Sequence, residues 1–510
     1  MTRRSLALSV LSGLLLTASF PSLSYSFLAW FALVPLLLAL RGQTVFTGLW
    51  LGGICGLVFF CGTVSWVTHA LHVYGQVPLP PAALITLLLC AILSLFLSLF
   101  GGAVVHIWEN RPRYLFLAAP ALWVTLEYAR THLFSGFPWA LLGYSQYRTL
   151  PVIQIADLTG VYGISFLIVL VNAGLAELFG NRMRYLPPAV AAIMTAVVLG
   201  YGLYRLNAPE GPGSIRIAVV QGNIEQDKKW DPFYQSEAIE TYKRLTRRAL
   251  ERKPDLVIWP ETATPFHFGG IGDDRRHSDA LRRFVRATNT PLLFGSPTYE
   301  VKQAGGSPLR NSAILLDRSG ATGAVYHKMH LVPFGEYVPL KRALFFMEKL
   351  TSGDVDFQPG SGQTIMQVPL LRGGAVAVGT VICYEIIFPD LVRRFVRAGA
   401  TVMTTITNDA WFGRTGAPGQ HFSMAVLRVV ENRIPIARAA NTGISGFIDA
   451  KGRILESTDL FTEAYLVRTI TPSATKTFYT RYGDIFSWLC VLGSLLAILP
   501  LRQEKKPPDQ

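Results

Sequence analysis

No lysine precedes Lys228 in this 510-residue chain. An ordinary soluble segment of that length carries many, so the absence removes a soluble domain from the first two hundred residues. Charge is scarce throughout. Asp, Glu, Lys and Arg make up 16% of residues, against about 25% in a typical soluble domain, while 50% are hydrophobic and mean hydropathy is +0.34. Such a composition excludes a disordered chain and calls for stretches that never meet water. Cysteine is sparse as well: five residues, with no CxxC and no even framework, argue against a disulfide scaffold and against a zinc module. The net charge of +14 raises nucleic acid as a partner, but the basic residues are scattered and no basic stripe interleaved with aromatics occurs. Anionic lipid is the better counter-surface, and nucleic acid is not expected. Internal repeats and low-complexity segments are also lacking.

What is present is a set of long apolar runs at the two ends. They cover Ser5–Phe20, Phe27–Leu40, Val45–Val67, Ala82–Val105, Leu115–Leu126, Val161–Leu178, Pro188–Tyr204 and Ile485–Leu501. A spanning helix needs about 17 to 25 apolar residues, so Phe27–Leu40 and the Pro120-containing Leu115–Leu126 are short and must recruit their flanks. The expectation is about eight spans, seven of them in residues 1–206 and one in 484–501. Lys and Arg flanking spans are retained in the cytoplasm. Arg3, Arg4, Arg41, Arg111, Arg113, Arg182, Arg184, Arg502, Lys505 and Lys506 share one side if the amino terminus starts inside, whereas Arg130, Arg148, Arg205, Lys476 and Arg481 fall on the other. Residues 207–483 are then extracytoplasmic, and the 502–510 tail is cytoplasmic and disordered. Met1–Ser26 also reads as a signal peptide, whose removal would leave this topology unchanged.

The Pro and Gly linker Asn207–Gly213 opens an aqueous domain. Short β-rich runs at Ile215–Val220, Leu256–Trp259, Pro291–Phe294, Ala375–Ile382 and Thr401–Thr407 alternate with helical patterns at Gln235–Arg252, Ser278–Thr288, Leu391–Ala398 and His421–Asn432. Hairpins are expected around Asp317–Gly320 and Ala450–Gly452.

Cys55, Cys61, Cys90 and Cys490 lie in apolar runs, where a cysteine is usually a small hydrophobe. Cys383 is the one cysteine of the aqueous domain. It ends the run Ala375–Ile382 before a helical pattern, and a strand-to-helix turn brings a side chain near helix-terminal amides that favour a thiolate. Position alone leaves an inert buried cysteine equally open. Two other strand ends bear on it: Glu261 closes an apolar strand after Pro260, and Lys328 follows the second strand of the first hairpin. A thiol needs a base to become a nucleophile, and a carbonyl under attack needs a fixed positive charge for its oxyanion. Glu, Lys and Cys supply these three roles.

On these residues the chain resembles the nitrilase, or carbon-nitrogen hydrolase, superfamily from Ser214 to about Ile470. The resemblance rests on Trp259-Pro260-Glu261-Thr262, on His327-Lys328 with Pro333-Phe334-Gly335-Glu336, and on Cys383-Tyr384-Glu385 followed by Thr407-Asn408-Asp409-Ala410-Trp411-Phe412. With seven preceding spans, one trailing span, Gln221-Gly222-Asn223 and Trp230, it is similar more narrowly to the bacterial apolipoprotein N-acyltransferase family. The fold implied is α+β: a four-layer αββα nitrilase-like sandwich inserted between transmembrane helices. The resemblance implies Cys383 as nucleophile, Glu261 as general base, Lys328 as oxyanion stabiliser and Glu336 as a second essential carboxylate, with Tyr384 and Glu385 beside the nucleophile. Trp230, Phe334, Trp411 and Phe412 become candidates for handling acyl chains, with ordinary packing equally open for each.

The reaction implied is transfer of an acyl chain from a membrane phospholipid, through a cysteine thioester, to the amino terminus of a diacylglyceryl-cysteine apolipoprotein. An α-amino group ordinarily titrates at about pH 7.7 to 8.0, so a useful fraction is neutral near pH 7, unlike a lysine. No cofactor is implied. His327 and His330 stand three apart without a HExxH motif or third ligand, so no metal is expected. Two rivals remain: a membrane-anchored amidase handing its acyl group to water, and a transporter. The first four apolar runs contain no Asp, Glu, Lys or Arg, which counts against ion-coupled transport.

Overall fold

The computed structural model describes residues 1–179, 185–209, 211–225, 232–299, 308–337 and 357–499. Trp230, Arg182, Arg184 and the tail from Arg502 lie outside the described residues. Among those described, Val45–Val64, Leu79–Asn110, Val161–Leu178 and Leu186–Asn207 are helices long and apolar enough to cross a membrane. The 32 residues of Leu79–Asn110 rise about 48 Å, more than the roughly 30 Å hydrocarbon core, so this helix tilts or projects beyond it. It packs closely on Val45–Val64, where a Cβ at Gly52 would lie 2.1 Å from the Leu97 carbonyl oxygen.

The two short apolar runs fold in different ways. Phe27–Leu40 is not one helix but a 3-10 turn, Ser26–Trp30, and a six-residue helix, Val34–Ala39, which rises only about 9 Å. The break is sustained because distant side chains satisfy the freed backbone. Asn172 accepts from the Leu33 N–H at 2.8 Å and donates to the Ala29 carbonyl at 2.9 Å, and Ser12 accepts from the Leu36 N–H at 2.8 Å. Leu115–Leu126 extends to the 18-residue helix Leu115–His132 with Pro120 inside it. Arg130, expected in a connection, occupies its last turn and is buried, donating to the Trp139 carbonyl at 2.6 Å.

The region after the linker builds two sheets. The strands are β1 (Ile215–Gln221), β2 (Leu256–Ile258), β3 (Leu292–Tyr299), β4 (Leu309–Leu316), β5 (Thr322–His327), β6 (Ile365–Pro369), β7 (Ala375–Ile382), β8 (Val402–Thr407), β9 (Ile436–Ala440), β10 (Gly446–Ile448), β11 (Ile454–Ser457) and β12 (Ala464–Ile470). Their orders are β12-β1-β2-β3-β4-β5 and β11-β10-β9-β8-β7-β6. Both expected hairpins pair antiparallel.

Period-two alternation explains the layers. In β1, Ala218 and Val220 pack beneath the helices Pro232–Leu250 and Asp273–Thr288, while Ile217 and Val219 join the core shared with the second sheet. The helices Pro389–Arg397 and Ala417–Asn432 cover that second sheet, completing the four-layer αββα sandwich. Ala417–Asn432 is buried almost throughout, because its outer face rests on the membrane-side helices rather than on solvent. Its polar residues reach across: Gln420 accepts from the Trp139 indole at 2.6 Å and donates to the Pro21 carbonyl, and Glu431 accepts from the Val161 N–H at 3.0 Å.

Candidate active site

Parallel strands β1, β2 and β3 in one sheet and β7, β8 and β9 in the other send chemistry-bearing residues to one end of the sandwich. Glu261 follows β2, Lys328 follows β5 and Cys383 follows β7 directly. The structure brings all three together with Glu336. Lys328 Nζ lies 3.0 Å from Glu336 Oε1 and 3.4 Å from Glu261 Oε1, all three groups buried or nearly so. Asn311, in β4, donates its amide to both carboxylates at 2.8 Å, and the Asn408 N–H donates to Glu261 Oε2 at 3.0 Å. Glu261 can pack there because β3 has a glycine beside it: a Cβ at Gly295 would lie 2.6 Å from the Glu261 Cα and 2.5 Å from the Thr262 nitrogen.

Cys383 has φ +52°, a left-handed conformation that costs a non-glycine residue about 1 to 2 kcal/mol. The strain is imposed where β7 turns sharply into the five-residue 3-10 turn Cys383–Ile387. Glu385, fully buried, ties this turn to the loop after Lys328. Its Oε1 accepts from the Tyr326 hydroxyl at 2.7 Å and from the Met329 and His330 N–H groups at 2.7 and 3.1 Å, and its Oε2 accepts from the Ile382 N–H at 2.8 Å. Burial pushes its carboxyl up to about 6 against these donors and Lys328. Glu385 thus couples the positions of Lys328 and Cys383.

The electrostatics correct one expectation. A strand-to-helix turn is expected to favour a thiolate, yet the Cys383 thiol lies well above its ordinary value. Burial is the main cause and the Glu261 charge adds to it, with Lys328 opposing; Asp409 raises it further. A thiol raised in this way keeps its proton at neutral pH and needs a base before it can act as a nucleophile. Burial alone would pull the Lys328 ammonium down, but Glu336 and Glu261 outweigh it and hold the charge firmly.

Of the remaining candidates, Tyr384, Trp411 and Phe412 face the membrane-side region. Tyr384 is buried, with its ring against Phe388 and His330 at 5.2 and 5.9 Å and its hydroxyl 3.5 Å from the Gly136 carbonyl. Trp411 meets Tyr74 at 5.1 Å, and Phe412 meets Trp66 at 4.8 Å. Phe334 sits half-exposed on the loop after Lys328 with φ +62°. His327 and His330 diverge: the first pairs with Ser312 at 2.8 Å and the second stacks on Phe388 at 3.8 Å. Reading the sequence missed Asn311, which stands between Arg310 and Ser312 in β4 with nothing local to single it out, and gave no role to Asn408 or Asp409.

A base and a fixed ammonium beside a thiol in a left-handed turn can open an acyl carbonyl and stabilise the resulting oxyanion. Comparison with known proteins gives this geometry a context. Residues 216–479 match the carbon-nitrogen hydrolase family, and residues 12–174 match the apolipoprotein N-acyltransferase N-terminal domain. An apolipoprotein N-acyltransferase of Geobacter metallireducens is 43% identical, over 98% of this chain and 96% of its own. Those of Chlorobaculum tepidum and Haemophilus influenzae are each 33% identical, covering 96% and 94% of this chain and 96% and 91% of theirs. With the four-layer sandwich, the apolar helices before it and a match along nearly its whole length, the chain belongs to the apolipoprotein N-acyltransferase family.

Proposed function

We propose that this protein moves an acyl chain from a membrane phospholipid onto Cys383 and then onto the terminal amine of a diacylglyceryl-cysteine apolipoprotein. The observation that carries this reading is the place of the cluster. Tyr384, Trp411 and Phe412, on the loops that carry or flank the thiol, pack on Gly136, Tyr74 and Trp66 of the membrane-side region. The thiol-bearing end of the sandwich therefore abuts the apolar helices, the side from which a lipid chain would arrive. The relatives' name supports the acceptor.

In the first half-reaction Glu261 takes the thiol proton as Cys383 Sγ bonds to the ester carbonyl carbon. Lys328 faces the oxygen that becomes negative. Collapse breaks the ester C–O bond, and the proton returns from Glu261 to the departing lysophospholipid. In the second, the neutral amine attacks the thioester and gives a proton to Glu261. The C–S bond then breaks and the proton restores the Cys383 thiol. Glu336 and Asn311 hold Lys328 and Glu261 in register.

The rival outcome is hydrolysis, and the second half-reaction separates the two. The acyl-enzyme formed with phospholipid alone is expected to persist in buffer, because a thioester escapes water only where the site excludes it and aligns the amine. A diacylglyceryl-cysteine peptide with a free amino terminus should discharge it to an amide, whereas the N-acetylated peptide should leave it intact. Rapid release of free fatty acid regardless of peptide would make the protein a hydrolase.

The proposed setting is the bacterial inner membrane with residues 207–483 on its outer face, supported by the arginine asymmetry of the flanking connections. Asp273 begins an exposed helix of this region, so Asp273→Cys should react with a membrane-impermeant thiol reagent on intact spheroplasts. Reaction only after lysis would reverse the orientation.

A further inference from the structure

Behind the nucleophile lies a fully buried polar cluster drawn from three elements. Asp409 comes from the 3-10 turn after β8, His421 from the helix Ala417–Asn432 and Arg438 from the middle of β9. His421 Nε2 is 3.2 Å from the Cys383 carbonyl oxygen. Its Nδ1 is 3.0 Å from Asp409 Oδ1 and 3.0 Å from Arg438 Nη2. Arg438 Nη2 also pairs with Asp409 Oδ2 at 2.8 Å, and the Thr407 hydroxyl donates to Asp409 Oδ1 at 2.8 Å.

We propose that His421, oriented by Asp409 and Arg438, is a positioning residue for the nucleophile, donating from Nε2 to the Cys383 carbonyl and fixing the strained peptide that carries the thiol. The inference rests on Cys383 being the acylated residue. A carbonyl only accepts, so Nε2 must carry a proton. Burial, with Arg438 beside it, holds the ring below its ordinary value, and the neutral ring then has an Nδ1 that accepts from Arg438. Asp409 is held well below the usual carboxylate range despite its burial, chiefly by Arg438. Arg438, donating to Nδ1, favours the tautomer with its proton on Nε2, and Asp409, whose Oδ1 opposes it, holds that guanidinium in place through Oδ2.

The need for such a clamp follows from the backbone. A residue at φ +52° stays there only if its surroundings over-determine it. Glu385 fixes the Val381–Ile382 peptide, one residue upstream, through the Ile382 N–H, and His421 fixes the Cys383–Tyr384 peptide. Across a trans peptide the carbonyl and the next N–H point in opposite directions, so the grip on the Cys383 carbonyl also aims the Tyr384 N–H. The imidazole is itself held from the membrane side, where it stacks on Trp139 at 5.9 Å, and within the sandwich it meets the Phe412 ring edge at 5.8 Å. Nucleophile geometry is in this way referred to a side chain of the membrane-side region.

The test is thioester formation on the full-length protein in phospholipid micelles, comparing wild type, His421→Ala and His421→Gln. Loss of positioning should lower the rate constant of acylation in His421→Ala by about 10²-fold with the phospholipid KM within about twofold. The Gln amide can donate to the same carbonyl, and His421→Gln should recover at least about tenfold of that loss, the worth of one neutral hydrogen bond. A packing role alone would lower the melting temperature of both variants without this split or this rescue. Wild-type rates in His421→Ala, or a folded His421→Gln as slow as the alanine variant, would overturn the inference. Should His421→Ala not fold, His421→Gln decides alone, acylation within about tenfold of wild type supporting the clamp and a larger loss overturning it. A wild type that forms no thioester would instead overturn the functional reading, and this inference with it.

Discussion

Cys383→Ala is expected to abolish the acyl adduct and to lower turnover by about four to six orders of magnitude, the scale on which acyl-transfer enzymes feel loss of their nucleophile. Incubation of the wild type with phospholipid should add one acyl mass, removable by hydroxylamine. Alanine is an informative replacement here because it has a Cβ, as cysteine does, and so meets the same steric cost at φ +52°. The turn, the Glu385 contacts and the His421 contact all use backbone groups of this segment or side chains elsewhere, and none needs the sulfur. Stability should therefore change by no more than about 1 kcal/mol. Cys55, Cys61, Cys90 and Cys490 remain in the variant as internal controls within the apolar helices. An adduct of undiminished intensity in Cys383→Ala would assign the acylated residue elsewhere.

The strand ends were legible in the sequence because their signal is local. Apolar runs stopping at Glu261 and Cys383 report buried strands that each deliver a polar side chain at the end, Lys328 follows the second strand of a hairpin, and the observed strands end within a few residues of each. The cluster behind Cys383 has no local signal. Asp409, His421 and Arg438 lie on three elements, and an arginine in the middle of Ile436–Ala440 reads as solvent-facing until its carboxylate partner is placed beside it. The helix Ala417–Asn432 likewise contains Gln420, Arg428 and Glu431, which mark a wet face by pattern. Only the docking of the membrane-side helices shows that face to be buried.

Two further departures have the same origin. Phe27–Leu40 has the composition of a span, but partners supplied by Ser12 and Asn172 allow its backbone to break. Cys383 has the position of an activated thiol, yet burial and the carboxylates of Glu261 and Asp409 raise it. Each depends on side chains far away in the chain, which hydropathy and spacing do not register.

The second large effect is expected at Lys328, where stability and chemistry must be separated. Lys328 lies between Glu261 and Glu336 with almost no exposure, so Lys328→Met leaves two buried carboxylates sharing the Asn311 amide. Removing one partner of such a buried arrangement costs about 3 to 5 kcal/mol of stability. The oxyanion loses its facing charge as well, which should lower the acylation rate by about 10²- to 10³-fold. A double substitution distinguishes the two. Adding Glu336→Gln to Lys328→Met removes one of the opposed charges, so it should return part of the lost stability, read from the unfolding midpoint. It puts no cation opposite the carbonyl, and acylation should stay as slow as in Lys328→Met. If the rate recovers along with the stability, Lys328 serves only to neutralise its neighbours, and the oxyanion must be held by other groups, with the backbone N–H of Tyr384 the first to test.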